Sequence, residues 1–201
     1  MADVLPHIGA ALVAACIMLT LARQLTSTRK KLSSVFIAIF ALMLLPLGEF
    51  PASHYLRVLT GDLSMLGLVW LGASAGQTML HGRRTRSAHE RHSAIAVLFI
   101  ALCLYPSALG LSPLDVYSLG YSPVYLGPVV FLLFAGTIWL NYWIPAISAA
   151  LALAAYYLGF LESNNLWDYL IDPVIVIYCL SLLVMDRRQL LSSDEHEPAK
   201  T

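Results

Sequence analysis

The chain has 201 residues, 59% of them hydrophobic and only 12% charged, and its net charge is zero. A soluble domain carries about 25% charged residues, so the composition is that of a membrane protein and excludes a soluble domain. The zero is a sum over segregated clusters and carries no basic excess of the kind that marks a nucleic-acid binder.

The first apolar run, from Val4 to Leu21, has Asp3 ahead of it and Arg23 after it. It lacks the basic start of a signal peptide and reads as an uncleaved helix over 4–22. Arg23, Arg29, Lys30 and Lys31 form a basic cluster before the second helix, expected over 33–49 and closed by Pro46, Glu49 and Pro51. Residues 52–62 are polar and read as a loop; Thr60 or Asp62 is placed to cap a third helix over 62–80. The most basic loop, with Arg83, Arg84, Arg86 and Arg91, precedes a fourth helix over 93–110. After a loop holding Asp115, Tyr117 and Tyr121, the fifth and sixth helices (123–140 and 144–160) form a tight hairpin, with Tyr142 and Trp143 suited to an interface.

Residues 161–173 then bring three carboxylates, Glu162, Asp168 and Asp172, ahead of an apolar run ending at Met185. From Pro173 to Met185 is too short for the roughly 20 residues a spanning helix needs, so the seventh helix is expected over 166–185. The tail, 189–201, is polar and expected to be disordered.

The expected fold is therefore all-α: a single domain over 1–188, seven transmembrane helices, N-terminus outside and C-terminus cytoplasmic. Charge supports that orientation. It leaves Arg57 as the one basic residue outside, with the other eleven of the twelve on inner segments. A bacterial inner membrane is the expected location.

Several chemistries lack their residues. A retinal protein needs an intramembrane lysine, but Lys30, Lys31 and Lys200 lie outside the runs. The six histidines sit at run ends, in loops or in the tail, which excludes haem held between helices. No His-Glu-x-x-His occurs. Gly72, Ser74 and Gly76 match the spacing of a serine-nucleophile elbow, but they lie mid-helix with no base within a turn. Gly72 and Gly76 read better as a smooth face for close helix packing. Cys16, Cys103 and Cys179 fall inside apolar runs and read as small apolar residues. No metal and no cofactor are expected.

What remains is a polar cluster at the outer ends of the helices: Glu49, His54, Arg57, Asp62, Glu162, Asn165, Asp168 and Asp172. Charges near hydrocarbon are costly and turn toward a bundle interior or each other, so these residues are expected to line one outward-facing cavity. Arg57 is the expected counter-ion of Glu49, Asp168 or Asp172. Asp62 reads first as a helix cap, and Asp172 before Pro173 also as a turn or cap. Three functions fit this pattern. The first is a binding or assembly role in the cell envelope, with membrane lipid and a partner membrane protein as partners. The alternative is an enzyme acting on a lipid or lipid-linked substrate at the outer leaflet. The third, a proton- or cation-coupled transporter, needs a polar path that the inner halves of the runs do not provide.

Overall fold

Leucine and alanine are the commonest residues of the apolar runs, and their side chains lose little freedom in a helix. Each run is helical over most of its length in the structure, a computed structural model. It describes residues 4–26, 28–81 and 87–194, and of Val4 and 186–194 the backbone alone. In chain order come α1 (Val4–Leu25), α2 (Arg29–Leu44), a hairpin of β1 (Pro46–Leu47) and β2 (Phe50–Pro51), and α3 (Ala52–Thr60). Then follow α4 (Met65–His81), α5 (Ala88–Ala108), a 3-10 turn (Tyr117–Tyr121), α6 (Pro123–Trp139), α7 (Trp143–Tyr157), α8 (Leu166–Leu170) and α9 (Pro173–Asp194). The described residues are thus all-helical, as expected, apart from the small hairpin.

Two helices, Leu5–Leu25 and Ala88–Ala108, are long and apolar enough to cross a membrane. Pro123–Trp139, Trp143–Tyr157 and Pro173–Met185 are shorter apolar helices.

Helix α4 is the hub. It is mostly apolar, and Met65, Leu66, Gly67, Trp70, Leu71, Ala75 and Thr78 along it are buried. Met65 packs with Leu126, Ala152, Leu166 and Tyr169 toward α6, α7 and α8. Leu66 and Trp70 pack with Val97 of α5 and Ile175 and Cys179 of α9. Leu71 meets Leu12 and Val13 of α1. Ala75 meets Leu19 of α1 and Leu32 of α2.

Three expectations are corrected. The polar segment after Pro51 is not a loop but helix α3, introduced by the β1–β2 hairpin, which turns at Gly48 with φ +81°. The expected seventh helix is two pieces. Pro173 has no amide hydrogen and pushes the residue before it out of the helical region, so α8 stops at Leu170, Ile171 is extended, and α9 starts afresh with Pro173 as its first residue. The backbone of α9 then runs on to Asp194, through the start of the expected tail. Arg83, Arg84, Arg86 and residues 195–201 lie outside the described residues.

Candidate functional site

The starts of α4 and α9 meet at one end of the bundle, hereafter the polar end. Ser64 precedes the first residue of α4 and caps it: its Oγ accepts from the Gly67 amide at 3.0 Å. Asp172 precedes the first residue of α9 and caps it in the same way, its Oδ1 accepting from the Ile175 amide at 2.9 Å. The two caps are joined. Ser64 donates to Asp172 Oδ2 from its amide at 2.9 Å and from its hydroxyl at 2.6 Å. Asp172 is 4% exposed and Ser64 fully buried. A carboxylate there faces two helix N-termini, whose free amides and dipoles favour negative charge. Gly67 makes the junction possible, since a Cβ on it would lie 2.6 Å from Asp172 Oδ2.

Asp168 belongs to a second group. It accepts from the Tyr117 hydroxyl at 3.1 Å and the Ser163 hydroxyl at 2.5 Å. Burial, then the charge and hydrogen bond of Asp168, hold the Tyr117 phenol well above its usual pKa. Asn165, fully buried, caps α8 by accepting from the Trp167 amide at 2.9 Å, and donates to the Tyr117 carbonyl at 3.2 Å. Trp167 donates to the Val116 carbonyl at 3.0 Å. Gly120 sits so close to Asn165 that a Cβ there would collide with its side-chain oxygen. The segment 115–121 is thereby clasped onto α8.

Arg57 forms a third group. Its Nε and Nη2 bind Asp62 at 2.6 and 3.2 Å, and Nη2 also reaches Glu162 at 3.1 Å. The hydrogen bond to Asp62 is the main cause holding Arg57 above its usual pKa. His54 stacks on Phe50 with ring centres 4.4 Å apart, and 5.8 Å from His7, whose Nδ1 lies 3.3 Å from the Ser53 hydroxyl. Glu49 is exposed at the hairpin turn.

Comparison with family models, curated proteins and solved structures found no match.

The eight expected site residues do share one end of the chain's fold, but not one cavity. Arg57 pairs with Asp62 and Glu162 rather than with Glu49, Asp168 or Asp172, because Gly61 (φ +70°) turns the chain after α3 back on itself and brings Asp62 beneath the guanidinium. Asp62 does not cap α4; Ser64 does. Asp172 is a cap, as its place before Pro173 allowed, and it sits at a break rather than within a continuous helix over 166–185. Among the described residues, no three of His, Cys, Asp and Glu gather in an arrangement able to hold a metal ion. Gly72 and Gly76 face open space, with nothing within 4 Å of a Cβ on either, so the close backbone approaches fall at Gly67 and Gly120 instead.

Other residues of the interior were not expected. Glu90 is buried and accepts from Trp70 Nε1 at 3.0 Å. Ser87 and Glu90 have the Ser-x-x-Glu spacing of a capping box, and the Ser87 hydroxyl accepts from the Glu90 amide at 3.2 Å. That signal places the start of α5 at Ala88 rather than 93. Ser64 carries only the weaker signal of an N-cap residue type directly before an apolar run, since Gly67 cannot complete a capping box. Between Asp172 and Glu90 the interior is filled by Leu66, Trp70, Val97 and Ile175. The buried Tyr105 hydroxyl has no hydrogen-bond partner among the described residues.

Proposed function

We propose that the chain is a small multi-pass protein of a bacterial inner membrane, with its polar end outside, and that this end serves a binding or assembly role. In this reading α1, α2, α4, α5, α6, α7 and α9 are the seven spans, with the N-terminus outside and the C-terminus cytoplasmic. Large apolar side chains such as Phe99, Leu102, Val124, Leu132 and Ile177 are exposed around the bundle, which suits lipid and not water. Arg29, Lys30 and Lys31 at the start of α2 and Arg91 near the start of α5 lie away from the polar end, which favours a cytoplasmic side there.

One observation carries the binding reading: three of the acidic groups, Asp62, Asp168 and Asp172, are committed to protein donors. Asp172 accepts from Ser64 and Ile175, Asp168 from Tyr117 and Ser163, and Asp62 from Arg57. A general acid or base must reach the proton it moves, and Asp172, buried with both oxygens bonded, does not, while Asp62 and Asp168 are held by their own partners. This weighs against the outer-leaflet lipid enzyme. The apolar fill between Asp172 and Glu90 weighs against a transport path. What is left is a rigid polar rim, bordered by the exposed Leu111, Leu114 and Tyr121, that suits a partner membrane protein.

The test is mild extraction of the tagged full chain from its own membranes. A stoichiometric partner, lost with Leu114→Glu at unchanged expression, is the expected result. A lone chain that turns over a lipid substrate in liposomes overturns the reading.

A further inference from the structure

Nine residues, Ala52–Thr60, make a helix about 13 Å long, far too short to span a bilayer. Its two faces are of opposite character. Ser53, Arg57 and Thr60 share one face by their four- and three-residue spacing; Tyr55, Val58 and Leu59 share another.

The polar face is the one turned to the protein. Ser53 is fully buried beside His7 of α1, and Arg57 is tied to Asp62 and Glu162. The apolar face looks out, with Val58 74% and Leu59 85% exposed. A helix on a water-facing surface has the reverse arrangement. The surroundings of α3 are therefore apolar.

Further exposed apolar residues adjoin α3 along the chain. Leu45 and Leu47 are exposed along the hairpin, and the Tyr55 hydroxyl donates to the Leu47 carbonyl at 3.2 Å, holding the two apolar groups side by side. Ile37 and Leu42 of α2 are exposed as well. The outward face of α3 carries no charge. Glu49, at the hairpin turn, marks the side that stays among headgroups.

We propose that α3 and the β1–β2 hairpin lie in the plane of the outer leaflet, with Tyr55, Val58 and Leu59 buried at the boundary between headgroups and acyl chains. This rests on the membrane-spanning reading above and names the partner of this face as lipid. A short helix with a strong apolar face and modest overall hydrophobicity is the kind that seats itself there, and tyrosine suits the same layer.

The experiment uses the full chain in lipid nanodiscs, with Cys103→Ala removing the exposed native thiol. A fluorophore is attached at Leu59→Cys or, as a reference on α5, at Leu102→Cys. Quenching by nitroxide lipids labelled just below the headgroup is compared with quenching by aqueous iodide. Lipid quenching at position 59 should exceed iodide quenching by at least about two-fold, while position 102 responds to nitroxide placed deep in the acyl chains. Iodide access at 59 with position 102 in lipid overturns the inference and leaves the spanning reading intact. Shielding of 59 from both quenchers means that a second copy or another protein covers α3, and also overturns it. Iodide access at both positions overturns the inference and the spanning reading together.

Discussion

Asp172 and Ser64, 108 residues apart, each cap a helix and share a hydrogen bond of 2.6 Å. Neither helix start is complete without the other. Asp172→Ala strips the Ile175 amide and both Ser64 donors of their acceptor. Each buried donor left unpaired costs about 1–3 kcal/mol, so unfolding in detergent should show a loss of several kcal/mol. Ser64→Ala, which removes one cap hydroxyl, should cost about 1–2 kcal/mol. Asp172→Asn should fall between them, because its amide nitrogen must face either the Ile175 amide or the Ser64 donors and leave that side without an acceptor. Equal stability of all three variants and the wild type would remove the junction from the account.

Glycine substitutions should separate close approaches from open faces. Gly120→Ala drives a methyl group into Asn165, whose side chain is fixed by two hydrogen bonds, and Gly67→Ala drives one toward Asp172. Overpacking of this kind costs about 1–3 kcal/mol. Gly72→Ala meets nothing and should raise stability by up to about 1 kcal/mol through helix propensity. Denaturant titration of the three variants reads the contrast directly.

Tyr117 gives the fold a sensitivity to alkali. Its phenol is held above the usual pKa by burial and by Asp168, so the folded chain binds that proton more tightly than the unfolded one. The linked stability is fully present below the unfolded value of about 10 and is lost as pH rises through and beyond it. Tyr117→Phe should flatten the stability profile above pH 10, relative to the wild type, by up to the slope of one proton. An unchanged slope would mean that the phenol does not carry this linkage.

Arg57 should matter less than its prominence in the sequence implies. Its partners are partly exposed, Glu162 strongly so. Arg57→Gln is expected to cost less than about 1 kcal/mol, with the loss shrinking in high salt. Arg57→Lys should recover only part of it, since lysine cannot form the two-pronged contact with Asp62.

Tyr105→Phe removes a buried hydroxyl that has no partner among the described residues. Deleting an unsatisfied polar atom without changing shape should stabilise the chain by about 1 kcal/mol. A loss instead would identify a bound water or ligand at that hydroxyl.

The helices were legible because apolar runs in this chain are long and interrupted by charge. Their starts were written in short signals: Ser64 directly before the apolar run of α4, Ser87 before Glu90, and Pro173 after Asp172. Helix α3 was not legible, because its apolar face points away from the protein and mixed lettering over 52–60 reads as a loop. Proximity to one end identified the polar residues but not their pairing. Tyr117 and Asp168 lie 51 residues apart, and nothing in either stretch names the other. Gly72 and Gly76 show the converse case: small residues permit close packing, but they do not supply a neighbour.

The joined caps also impose an order in time. Ser64 is synthesised long before Asp172, so α4, the helix against which most others pack, emerges with its hydroxyl and amide still lacking their final acceptor. The carboxylate arrives only with the break at Pro173. The hub is thus fastened by the last of the described helices to appear, and until then the earlier helices have a centre that is placed but not yet locked.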